Sequence, residues 1–333
     1  MPVGLRRNAP WLVLIVTSIT FAEFLTGSTP VLVPLLDPLS ALFLVGLYGA
    51  GVLLVREASI RWNKGWPTIL LLGAAYGIAE EGLGTKTFFG PAGVGYLGVY
   101  GHFVGVNWVW AVELDLFHAV WSIALPIAAV GLLFPATQGV SFLPTPRIRW
   151  AVLAVFVTTV ALMFVLFHRS EIPSIALIVA ALAAIAALVA AARRAPAGLG
   201  GLGVGRTAQG SGLAPFGLGA AFVWGFFGLA WVGPQLIAVP AVVALAVLAW
   251  SVGVGIHLAR RRDEFTAPLA RLDFVLGTLT FLVVLALVMG VFGDFGVFPV
   301  VGVVLYVGWR LRRRLLAPTP VAVPFGAAGG FAT

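Results

Sequence analysis

Between Gly77 and Pro126 the chain places Glu80, Glu81, Lys86, His102, Asn107, Glu113, Asp115 and His118 in a sequence that is otherwise overwhelmingly apolar. Carboxylates and imidazoles are the side chains that activate water, relay protons or hold divalent metals. Asp115, His118 and Ser122 follow i, i+3, i+7, one face of a helix. Asp115 is therefore expected to accept from one ring nitrogen of His118 and to leave the other free as base, acid or ligand. Adjacent Glu80 and Glu81 point about 100° apart on a helix, so only one is expected to face His118 directly. Two neighbouring carboxylates in a poor dielectric tend to hold a proton between them, which suits acid–base work. Together with His102 or His118 the acids also make a donor set for a divalent metal.

The elements that must position these groups are membrane spans. Hydrophobic residues make up 61% of the 333 and charged residues only 10%, with a mean hydropathy of +1.07, far from the composition of a soluble domain. Cysteine is absent, which excludes disulfides, thiolate metal sites, Fe–S clusters and cysteine nucleophiles. Apolar runs of about 20 residues, the length that crosses a hydrocarbon core, centre near Ile19, Val45, Gly73, Ile123, Phe156, Ala181, Gly225, Leu245, Val283 and Val303. The fold class expected is an all-α polytopic membrane helix bundle of about ten transmembrane helices in the cell membrane.

Charge supplies an independent check. With the amino terminus cytoplasmic, all but Lys86 and Arg169 of the 20 basic residues fall on the cytoplasmic side, as the positive-inside rule requires. Both termini are then cytoplasmic. The net charge of +8 is topology, and no nucleic-acid partner is implied. The Gly-rich segment 193–219 reads as a cytoplasmic linker between a six-span bundle (1–192) and a four-span bundle (220–316), and 317–333 as a disordered tail. Gly198, Gly200 and Gly203 match G-x-G-x-x-G, but with no strand before them they are linker rather than a dinucleotide site.

Depth follows from the rise of about 1.5 Å per residue. Measured from the cytoplasmic face, Glu80 lies about 20 Å across, Glu23 about 23 Å and His118 about 24 Å, so three spans bring ionisable groups to one level near the outer face. Glu23, Lys86 and His102 are expected at a cavity or relay around the core residues. Phe88 to Gly101, broken by Pro91 and several glycines, is expected to cap the cluster as a loop, with Trp108, Trp110 and Trp121 at the interface or lining the cavity. The G-x-x-x-G pair Gly73 and Gly77 is expected to let its span pack closely on a neighbour.

The Glu-Glu pair late in a span, followed by a basic residue and then by histidines and an asparagine, resembles the CAAX-protease and bacteriocin-processing family of intramembrane proteases. That family shows E-E-x-x-x-R, F-x-x-x-H and H-x-x-x-N on separate helices. The resemblance covers at most Gly73 to Phe134 and implies that Glu80 and Glu81 are the acid pair, His118 a histidine position and Asn107 an oxyanion donor. Thr85 stands where the family carries Arg, with Lys86 one later, and Asn107 is five residues after His102 rather than four. Three readings stay open: a membrane-embedded hydrolase acting on a membrane-associated peptide or small molecule, a proton-coupled transporter, and a non-catalytic membrane subunit.

Overall fold

Inside a hydrocarbon layer no backbone N–H or C=O reaches water, so each apolar run closes its own hydrogen bonds as a helix. The computed structural model describes residues 3–90, 99–167, 172–197 and 213–317. Its helices are α1 (3–24), α2 (Pro38–Arg61), α3 (66–84), α4 (Trp108–Leu133), α5 (Pro146–Leu166), α6 (Ile175–Arg194), α7 (Leu213–Leu236), α8 (Pro240–Arg260), α9 (Pro268–Val291) and α10 (Val297–Leu316). Each expected span falls on one of them. Seven, α2 and α4 to α9, are long and apolar enough to cross a membrane, and the apolar part of α1, Pro10–Phe24, is shorter. Glu80 and Glu81 in α3, and the arginines at the end of α10, lower the apolarity of those two helices. The protein is an all-α, multi-pass membrane helix bundle.

The basic helix ends meet at one end of the bundle. Arg56 of α2 donates to the carbonyls of Thr137 and Val140 after α4, and Lys64 Nζ donates to Ala195 O after α6 at 2.6 Å. Arg312 of α10 pairs with Asp273 of α9 at 2.9 Å. Lys86, at the opposite end, donates instead to Phe164 O near the end of α5.

Helix α4 is central, with 72% of its most apolar stretch buried, whereas α5 and α6 bury only 11%. It contacts α1, α2 and α3 on one side and α7, α8 and α9 on the other. Trp121 lies in this core rather than at an interface. It is fully buried between the rings of Phe117 and Phe222, at 5.5 and 5.3 Å, because its indole N–H finds Thr278 O of α9 at 3.1 Å. The α3–α4 contact depends on Gly73 and Gly77, as expected. A Cβ at Gly73 would stand 2.7 Å from Ala119 Cα, and one at Gly77 would stand 2.8 Å from Asp115 Oδ1.

Within the segment read as linker, α7 already begins at Leu213, while 198–212 lie outside the described residues, as do 91–98 of the capping loop and 318–333 of the tail. Before α4 the chain forms a two-residue hairpin, β1 (His102–Phe103) against β2 (Val106–Asn107), turned by Val104 and Gly105 at positive φ.

Candidate functional site

Four of the helices that converge near the middle of the bundle depart from α geometry at the same level. Residues Thr20–Phe24 of α1, Val45–Gly49 of α2, Ile78–Gly84 of α3 and His118–Ala124 of α4 are π-helical turns, in which an N–H reaches the carbonyl five residues back. Leu25 N to Thr20 O at 3.0 Å and Thr85 N to Glu80 O at 2.8 Å are examples. Such turns are rare and cluster at functional sites. Each carries a polar residue of one network: Glu23, Tyr48, the Glu80–Glu81 pair, and His118 with Ser122.

Glu80, Glu81 and His118 bring one ligand atom each to within 4.8 Å of one another. His118 Nε2 is 3.2 Å from Glu81 Oε1. Its Nδ1 is 2.9 Å from Ser122 Oγ and 3.2 Å from Glu80 Oε2, but only the serine contact is aligned as a hydrogen bond, which leaves Oε2 a buried acceptor without one. A carboxylate accepts, so Nε2–H donates to Glu81, and in the neutral ring Nδ1 accepts from the Ser122 hydroxyl. The other oxygen of Glu81 accepts from Thr85 Oγ1 at 2.7 Å and from Thr87 Oγ1. Glu81 is thus saturated with donors, as suits an ionised carboxylate. Glu80 is not.

Tyr48 extends the network. Its hydroxyl contacts Glu80 Oε1 on α3 and Glu23 Oε1 on α1, and Glu23 Oε2 accepts from Thr29 Oγ1 at 2.6 Å. A phenol has one proton. It donates to one carboxyl and must accept from the other, so one of Glu23 and Glu80 is a carboxylic acid whenever both contacts are made. The Tyr76 ring lies 5.9 Å from the His118 ring and 6.1 Å from that of Tyr48, its buried hydroxyl without an aligned partner.

The remaining expected residues separate from this centre. Asp115 does not orient His118, because both ring nitrogens are taken by groups on α3 and by Ser122 one turn on; its Oδ1 faces Gly77 and has no hydrogen bond. Asn107 is the N-cap of α4, accepting from Trp110 N at 3.1 Å, about 16 Å along the helix from His118. His102 is exposed on the hairpin. Lys86 is buried beside Phe164, with its ammonium 4.9 Å from that ring. Glu113 is buried on its own, accepting from Trp231 Nε1 at 2.6 Å, and that tryptophan also lies in a π turn, Gly228–Val232.

Sequence reasoning passed over Tyr48 and Thr87, and it placed Ser122 on the His118 face and Thr85 at the arginine position without giving either a hydrogen-bonding role. For Tyr48 the signal was available, since counting back from Arg61 puts it about 20 Å from the basic end, level with Glu80. As a metal centre the cluster offers Glu80 Oε2, Glu81 Oε1 and one nitrogen of His118, oxygen and imidazole donors that suit a divalent first-row ion.

A family model described as an uncharacterized membrane protein family matches residues 12–292. The chain belongs to that family. Within this membrane protein family the matched stretch takes in the four π turns of the polar centre and ends before α10. No curated protein and no solved structure matches the chain.

Proposed function

We propose that the protein is a membrane-embedded hydrolase that cleaves a membrane-associated peptide with a water activated at Glu80. The observation that carries this reading is the convergence of Glu80, Glu81 and His118, with Glu80 Oε2 the one buried carboxylate oxygen of the centre left without an aligned donor. Glu80 takes a proton from the water as its oxygen adds to the peptide carbonyl, and returns that proton to the leaving nitrogen as the C–N bond breaks. His118, when protonated, donates from Nε2 to Glu81 and from Nδ1 to Ser122, and its charge beside Glu80 and Glu81 stabilises the developing oxyanion. When Glu23 holds the shared proton, Tyr48 donates to Glu80 and leaves it ionised to act as base.

The resemblance to the CAAX-protease and bacteriocin-processing family supports the same reading. His118 and Ser122 stand in that family's H-x-x-x-N spacing with serine at the last place, and Thr85 at the arginine position holds Glu81 by a hydroxyl. The test is a comparison of new protein N-termini in membranes of a host expressing the wild type or His118→Ala at equal levels. Termini made by the wild type and missing from the variant are expected; identical sets would overturn the proposal.

A second reading, a proton-coupled carrier, draws on the chain Glu23–Tyr48–Glu80–His118, which links four helices through exchangeable protons. In proteoliposomes carrying a pH-sensitive dye, such a carrier admits protons under an imposed potential and Tyr48→Phe abolishes the flux. A proton-tight wild type would leave the hydrolase as the better account.

A further inference from the structure

The last helix, α10, lies beyond the stretch that the family model matches and ends among the arginines of the basic end. Its inner face packs on α9 and α4. Gly308 sits so close to α9 that an added Cβ would stand 2.7 Å from Leu276 Cδ2, and Leu311 is buried in a cluster with Leu132 and Leu272. Arg312, one residue on, fixes this setting by its 2.9 Å pair with Asp273. Tyr306, Arg310, Arg313 and Arg314 follow i, i+4, i+7, i+8 and share the other face, all four exposed. The three arginines line a groove of about 590 Å³ between α10 and the end of α4, with Leu133, Tyr306 and Val307 among its walls and no acidic residue in it. That volume is within the roughly 300–1,000 Å³ typical of small-molecule sites. Among the described residues no carboxylate pairs with Arg310, Arg313 or Arg314: Asp273 is engaged by Arg312, and Glu264 by Arg261. Residues 318–333 contain no aspartate or glutamate. Arg313 lies 4.9 Å over the Trp309 ring, a contact that orders the guanidinium and leaves it without an anion. The positive-inside rule accounts for arginine at this end of the helix, but a topology signal needs neither a shared face nor a groove.

We infer that this groove holds an acidic phospholipid of the leaflet at the basic end, with its phosphate among Arg310, Arg313 and Arg314 and an acyl chain along Tyr306 and Val307 against Leu133. A phosphate diester offers oxygens that a guanidinium fork can pair two at a time. Arginines that follow directly on a membrane span meet such headgroups at the depth where the lipid itself holds them. The wall one turn before the arginines is apolar, as a headgroup followed by chains requires, and a soluble anion would leave that wall unused.

The test is native mass spectrometry of the delipidated full-length protein in neutral detergent, titrated with dioleoyl phosphatidylglycerol or with dioleoyl phosphatidylcholine. The first phosphatidylglycerol is expected to bind about 10- to 100-fold more tightly than the first phosphatidylcholine. Replacing Arg310, Arg313 and Arg314 together by glutamine is expected to remove most of that preference. The same change at Arg147, Arg194 and Arg260, which are exposed at the same end but outside the groove, is expected to alter it less than about twofold. Val307→Trp keeps every charge, and with it the topology, while filling the groove; it is expected to melt like the wild type and to bind phosphatidylglycerol about tenfold more weakly. Equal affinity for the two lipids would overturn the inference, as would equal losses from the two arginine triples or an unchanged affinity in Val307→Trp. Displacement of the lipid by inorganic phosphate at equal concentration would overturn it too, assigning the arginines to a soluble anion.

Discussion

Glu80→Gln is expected to lower peptide turnover by about 10²- to 10⁴-fold, the range lost when a positioned general base is removed, while the variant melts within a few degrees of the wild type. The amide has the shape of the carboxyl and can still meet Tyr48, and the oxygen it replaces had no hydrogen bond to lose. Glu81→Gln is expected to fail differently. Its oxygens accept from Thr85, Thr87 and His118, so an amide there places a donor against donors and costs stability as well as turnover. Turnover of a substrate taken from the N-terminus comparison, measured in proteoliposomes beside a melting curve, separates the two. A Glu80→Gln protein that is stable and fully active would remove Glu80 as the base.

The largest effect on stability is expected at Trp121. Truncation to alanine empties the space between Phe117 and Phe222 and orphans the carbonyl of Thr278, with a cost of about 3–5 kcal/mol typical of a buried aromatic. Lipid tails are as apolar as the core, so this loss is one of packing and hydrogen bonding rather than of shielding from water. In nanodiscs the melting temperature is expected to fall by about 10 °C. Trp121→Phe, which keeps a six-membered ring in the stack and loses the indole N–H with part of the ring volume, should lose less than half of that. Equal losses for the two variants would show that the hydrogen bond, not the stack, joins α4 to α7 and α9.

The span pattern was legible because two independent signals, apolar length and the placement of arginine, point to the same boundaries. Depth counting was enough to group Glu23, Glu80 and His118, since the rise along a helix accumulates whatever the local winding. Angle counting failed where winding mattered. The i, i+3 rule aimed Asp115 at His118, but His118 begins a π turn and its ring is taken up by Glu81 and Ser122. Asn107 was assigned by resemblance to chemistry, whereas a backbone N–H at the start of α4 claims its oxygen. Tyr48 was passed over because hydroxyls inside an apolar run read as packing, although its depth matched that of the acids.

The π turns bear on how such a centre could arise. A π turn amounts to one residue added to a regular helix, and the wide turn takes up the added residue's rotation of about 100°. Deleting one residue from a π turn would restore the α ladder with the far half of that helix nearly in place, and would close the wide turn that sets the direction of its polar residue apart from the apolar face. The wide turns therefore act as phase shifters. Each lets a single helix keep one rotational setting toward its neighbours at the basic end and another toward the polar network, and the network is available only while α1, α2, α3 and α4 all stay out of phase with themselves.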